Sequence, residues 1–492
     1  MKLFAGSCLC VLVTVGATLW GACGGDSAPD SAAGAGGGGT GAASGGGGAG
    51  AASGSGGTAG TGGAAGTAGD AGGASGSGGT AGAAGTGGAA GTDGSAGSAG
   101  TSDSGDTSCM VGALLASLGK NRLLVGASMD DAIATQAPFD LRYLYLAGGL
   151  FDGAAPCQSC QTGCTVGGNS CANSNPNGCG WWGCWQADTD PPGAYARGFI
   201  QTAQGNGQLP IFTYYELLQA SGAAEGAAEV TVAARDQAFM TRLLADWRFT
   251  LQQVGQSVAL LHVEPDFWGY AEQQGDDPHQ LAAAVATANP TDCATEEDSI
   301  AGMGRCMIAM VRKYAPNAKV GLHASGWGTK MDVLNNADAG LDVVGEANKL
   351  GAFLVECGAA QGDYVVVETS DRDAGYYESI GQNRWWDDAN AKLPTFHQAF
   401  TWAKALAEKV GKPLLWWQMP VGNMSLAGDA DHWKDNRLDY FFAHMDEVAA
   451  AHGFGVAYGA GAAGQTTPST DGGNLVAKVN AYVTSGGQKP CP

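Results

Sequence analysis

Eight short apolar runs, separated by longer amphipathic stretches, constrain this chain more than any other feature. The runs are Arg122–Ala127, Leu141–Leu146, Leu209–Tyr214, Val258–Glu264, Lys319–His323, Tyr364–Glu368, Pro413–Gln418 and Gly455–Tyr458. Each has the length of a strand, and strands covered on both faces read as near-continuous apolar runs. Between them, apolar residues recur at three- and four-residue steps, as in Phe239, Met240, Leu243, Leu244, Trp247 and Leu251. A second such stripe is Phe396, Phe400, Ala403, Leu406 and Val410, closed by Gly411 with Pro413 beyond. These are helices with one buried face. Strand and helix alternating eight times predict an α/β fold, a (β/α)8 TIM-type barrel over residues 109–492, in preference to an open doubly wound sheet.

The residues ahead of that domain follow other rules. Met1-Lys2, the apolar stretch Leu9–Leu19 and the closing Trp20-Gly21-Ala22-Cys23 have the order of a signal peptide over 1–23, too short for a membrane span. Cys23 after small residues resembles the lipobox of bacterial lipoproteins, which implies cleavage and lipidation there. Anchored or simply secreted, the chain is expected to be exported, meeting a membrane only through an N-terminal lipid. From 24 to 108 the sequence is nearly all Gly, Ala, Ser and Thr, without the apolar side chains that offset ordering entropy. This stretch is expected to be a disordered tether, and a Gly-rich coil of that length spans about 50 Å end to end.

Export decides how the cysteines are read. Of 14 in the chain, Cys157, Cys160, Cys164, Cys171, Cys179 and Cys184 crowd an insertion at about 152–188 after the second strand, which is expected to be stapled by disulfides. Cys293 with Cys306, and Cys109 with Cys491, are expected to pair, leaving Cys357 over. Formal net charge is −22, from 24 basic and 46 acidic residues, which argues against nucleic acid or anionic lipid as a partner.

Two strands end in an acid. In Leu260-Leu261-His262-Val263-Glu264-Pro265-Asp266-Phe267-Trp268, Pro265 stops further pairing, so Glu264 is expected at the barrel rim, on one face with His262. Tyr364–Glu368 delivers Glu368 to the same rim, with Asp371, Arg372 and Asp373 just beyond. Two carboxyls facing each other across a barrel mouth suit glycoside hydrolysis, one as acid and the other as base or nucleophile. Here the chain resembles the (β/α)8 glycoside hydrolases, many of which carry an acid/base Glu after the fourth strand in Asn-Glu-Pro; Val263-Glu264-Pro265 matches the Glu-Pro pair. The Glu-Pro-Asp triplet is also similar to a short segment of the inverting cellobiohydrolases. The resemblance implies catalysis by Glu264. The seventh strand ends Trp416-Trp417-Gln418 with no carboxylate, so the second role passes to Glu368.

Tryptophans fall after strands, among them Trp181, Trp182, Trp185, Trp268, Trp327, Trp385, Trp386, Trp416 and Trp417, and indole faces suit stacking on sugar rings. Tyr214, Glu216, Asp266, His323, Asp371, Gln418 and Tyr458 complete the expected substrate contacts, with Asp130, Asp131, Asp152 and Asp373 as further acids on the same side. The expectation is a monomeric polysaccharide hydrolase without metal or cofactor. A non-catalytic glycan-binding lipoprotein is one alternative. The other is a metal-dependent deacetylase or amidohydrolase using His262 and His323 with Glu264 or Asp266.

Overall fold

The computed structural model describes residues 109–147, 150, 165–166, 169–170, 193–429, 431–462 and 464–491. The signal segment, the tether, Asp152, the cysteines from Cys157 to Cys184 and Trp181, Trp182 and Trp185 lie outside the described residues.

The eight apolar runs form one closed parallel barrel. Its strands are β1 (Leu124–Ala127), β2 (Leu141–Ala147), β3 (Leu209–Tyr215), β4 (Leu260–Val263), β5 (Lys319–Ala324), β6 (Tyr364–Glu368), β7 (Leu414–Met419) and β8 (Gly453–Tyr458). Each pairs with its sequence neighbours, and β1 closes the ring by pairing Leu124 with Gly455 of β8. The fold is thus the expected (β/α)8 barrel. Its strands are buried along almost their whole length because helices cover them outside and side chains fill them inside.

The helices start and stop where local chemistry dictates. Gln237–Val254 is capped by Asp236, whose carboxylate accepts from the Ala238 and Phe239 amides, and it buries the predicted stripe from Phe239 to Leu251. Phe396–Val410 is capped by Thr395 and ends at Gly411. Cys109 is bonded to Cys491 and Cys293 to Cys306, the two pairings expected from the sequence, and Cys357 is a buried free thiol. Among the described residues no helix is long and apolar enough to cross a membrane.

The sequence expectation differs from the structure most at the end of β4. The strand stops at Val263, because Glu264 takes a left-handed φ of 47° and Asp266 one of 64°. Left-handed backbone at a residue with a Cβ costs about 1–3 kcal/mol. Gln418 near the end of β7 has the same habit, with φ 54°. Among the described residues, positive φ outside glycine thus recurs at this end of the barrel, at Glu264, Asp266 and Gln418.

Candidate active site

The left-handed step at Glu264 redirects two carboxyls. His262 points into the barrel, where Thr213 Oγ1 lies 3.2 Å from its Nδ1 and Trp417 packs edge-on at 4.6 Å. Strict alternation would place Glu264 beside it, but Glu264 is fully buried, and its carboxylate accepts from the Leu217 amide at 3.1 Å and the Glu216 amide at 3.3 Å. Burial pushes its carboxyl up to about 8, against the pull of those two amides, and Asp246 adds to the rise. Glu264 therefore clamps the loop after β3. The expectation that it shares the rim with His262 is corrected by its backbone conformation.

Asp266 occupies the mouth instead. One oxygen of Asp266, one of Glu368 and one ring nitrogen of His323 all lie within 4.8 Å of one another. Burial, followed by the charges of Glu225 and Asp371, lifts the Asp266 carboxyl to about 7. Glu368 keeps 15% side-chain exposure, and its carboxyl is also driven well above the usual range by burial and by the Asp266 and Asp371 charges. Gln418 Nε2 opposes that rise by donating to Glu368 Oε1 at 3.1 Å, and Gln418 Oε1 accepts from the Tyr145 hydroxyl. Asp371 accepts from the Tyr377 hydroxyl and from Arg372 Nη1, the partners of a carboxylate anion.

Histidine completes the floor. His323 is fully buried, with Nδ1 3.0 Å from His262 Nε2 and Nε2 3.8 Å from Glu368 Oε2. Burial lowers its pKa to about 3, so the ring is neutral. Trp417 packs against His262, His323, Tyr143 and Tyr145, and among the described residues neither its indole N–H nor the Tyr143 hydroxyl has a hydrogen-bond partner.

Other predicted contacts fall elsewhere. Tyr214 is buried outside the barrel wall, its hydroxyl donating to Asp246 at 2.8 Å. Glu216 is fully buried. Trp268 is sealed in the helix Phe267–Gln274 and donates to the Val263 carbonyl at 2.9 Å. Trp416 faces the outer helices, against Phe400 and Phe441, because strand parity sends it opposite to Trp417. Tyr458 stacks on Phe442. Trp327 remains partly exposed, tilted against Tyr270 at 4.7 Å. Of the further acids, Asp130 caps the helix Asp131–Ala134, Asp131 pairs with Arg142, and Asp373 holds the Thr466 amide and hydroxyl. Asp266, Glu368, Asp371, His323, Trp417 and Gln418 come together, joined by Tyr143 and Tyr145, which the sequence reading missed. Their signal was the inward parity of the two tyrosines in Leu141-Arg142-Tyr143-Leu144-Tyr145.

No protein-family model matches the chain, and no curated protein matches it. Among solved structures, it is similar to a modular endo-β-1,4-mannanase from Cellulomonas fimi at 13% identity and a TM-score of 0.43, covering 77% of this chain and 75% of that one. A β-1,4-mannanase from the sea hare Aplysia kurodai matches at 12% identity and a TM-score of 0.38, covering 75% and 96%. An endoglucanase from Mycobacterium tuberculosis matches at 14% identity and a TM-score of 0.26, over 48% of this chain and 60% of its own length. At these values the likenesses assign neither a residue nor an activity to this chain.

Proposed function

We propose that the protein is an exported glycoside hydrolase acting on a polysaccharide, with Asp266 as general acid and Glu368 as its partner carboxylate. The observation that carries this reading is the pair itself. Two carboxyls sit within 4.8 Å at the barrel mouth, beside an indole and two phenols, with a charged third acid close enough to raise both. A carboxyl that keeps its proton near neutrality can donate it to a departing glycosidic oxygen, while the other group stabilises or attacks the anomeric carbon. Tyr145, which keeps partial exposure, offers a face for a sugar ring and Gln418 a hydrogen-bonding edge, with the buried indole of Trp417 packed against Tyr145. Trp327, partly exposed beside Tyr270, extends that surface beyond the cleavage point. Signal-directed export, lipidation at Cys23 and the tether belong to the same proposal, which makes the enzyme a monomer displayed at a surface.

The test is release of reducing ends by the full chain from a panel of β-glucans, α-glucans, mannans, xylans, galactans, chitin and peptidoglycan. Asp266→Asn and Glu368→Gln are each expected to lower turnover by at least about 100-fold, the usual scale of acid–base catalysis, at unchanged melting temperature. NMR of the first product assigns the role of Glu368: retained anomeric configuration makes it the nucleophile. Inversion would transfer the second role to Asp371. Binding of a glycan without cleavage, unchanged in both variants, would overturn the enzyme reading and leave a glycan-binding protein.

A further inference from the structure

We infer that Asp266, His323 and Glu368 form a binding site for one divalent transition-metal ion of the zinc class, exclusive with glycan cleavage. The three donors already converge, with His323 Nε2 and Glu368 Oε2 3.8 Å apart and every pair within 4.8 Å. Zinc bonds of about 2.0–2.2 Å place tetrahedral donors roughly 3.4 Å apart, so closure needs the donors to approach one another by up to about 1.4 Å, within reach of side-chain torsions. One imidazole with two carboxylates suits zinc, cobalt or manganese better than calcium or magnesium, which take oxygen alone.

A built site differs from a chance cluster in what holds its donors. His323 Nε2 is buried and has no hydrogen-bond partner among the described residues, although its other nitrogen is engaged by His262 Nε2. His262 is in turn engaged by Thr213 Oγ1 at its Nδ1, which fixes the orientation of both rings. With the proton of His323 on Nδ1, donated to His262, the Nε2 lone pair faces Glu368. Glu368 is steadied on its far oxygen by Gln418, which leaves Oε2 toward the histidine. Outer partners of this kind orient metal ligands and contribute roughly 10–100-fold to affinity. His262 has both ring nitrogens in use, so it supports the set from behind and is not a ligand. That differs from the metal set expected from the sequence.

A metal held here occupies the oxygens that hydrolysis needs. Bound metal is therefore an inhibitor, a consequence that rests on the hydrolase reading; the binding itself does not. The experiment titrates the chelator-treated full chain with Co2+ and follows its visible d–d absorption, then displaces it with Zn2+. A band saturating at one Co2+ per chain, weakened at least 10-fold in Asp266→Asn and in His323→Gln, is the expected result, with far-UV circular dichroism confirming that both variants are folded. Thr213→Val, which leaves all three ligands in place, is expected to weaken binding less than either. Absence of a band, or a band that survives in both ligand variants, overturns the inference. Reducing-end release is measured in parallel: loss of cleavage in step with Zn2+ occupancy, reversed by chelation, supports the inhibitory role. A metal-free chain that cleaves nothing overturns the hydrolase reading and leaves the Co2+ result to stand by itself.

Discussion

At the scale of single residues, two carboxyls two positions apart have opposite duties. Asp266 faces the mouth with its carboxyl lifted to about 7, mainly by burial. A general acid must hold its proton, so cleavage is expected to persist on the acid side and to fall as pH climbs through about 7. Closely spaced acids titrate as a group, and Asp371 supplies part of the upward push, so Asp371→Asn should move the alkaline limb of kcat/KM to lower pH. Glu264 instead accepts two backbone amides in a sealed position. Replacing it by Gln sets an amide donor against those donors, and should cost about 1–3 kcal/mol in urea unfolding. Its effect on kcat should follow the loss of folded protein. The sequence could not separate these duties. Both residues follow the same strand, and which one reaches the mouth depends on the left-handed φ at 264 and 266 that composition does not announce. His323, Trp417 and Glu368 were legible because they lie on regular strands whose ends alone fix their height, whereas Gln418 joins them through its left-handed φ. Trp416 was misplaced for want of parity: adjacent residues on a strand face opposite ways.

At the scale of elements, the loop after β8 shapes the site through its lack of side chains. A Cβ at Gly461 would collide with Gln418 Nε2 and lie 2.6 Å from the Asp371 carbonyl oxygen, while one at Gly459 would collide with the Tyr143 hydroxyl. Gly461→Ala is therefore expected to push Gln418 off Glu368 and lower turnover by roughly tenfold, the scale of a lost hydrogen bond to a charged group. The Asp371 carbonyl is backbone and must yield as well, so the melting temperature should also fall; normal turnover in this variant would contradict the role given to Gln418. The strands themselves were the most legible part of the molecule. Burial on both faces imposes continuous apolar runs, and each run found in the sequence corresponds to a strand of the barrel. The end of β4 departs because backbone conformation, not hydrophobicity, ends that strand.

For the whole molecule, buried acids govern how stability responds to pH. Burial raises Glu229 to about 9, Glu264 and Glu272 to about 8, and Asp266 and Asp373 to about 7. Each binds its proton more tightly folded than unfolded, so the stability it contributes is fully present below its unfolded pKa and is lost as pH rises through the folded value. Asp292, Glu297 and Asp298 are shifted the other way, by salt bridges and amides, and their contribution is lost at low pH. The melting temperature is expected to peak near pH 5 and to decline toward pH 8 as the chain's formal charge of −22 develops. A melting temperature rising steadily from pH 5 to 8 would contradict it.

The bond between Cys109 and Cys491 joins the first described helix to the last turn of chain. Leu123, just ahead of β1, also donates its backbone amide to the Gln488 carbonyl, so both ends of the domain meet where β1 begins. A pull arriving along the polypeptide that precedes Cys109 is passed across a covalent link to the far end of the chain before it can peel β1 from β8. Mechanical load is thereby shared by both seams of the ring, and the mouth that carries Asp266 and Glu368, at the opposite ends of the strands, is insulated from it.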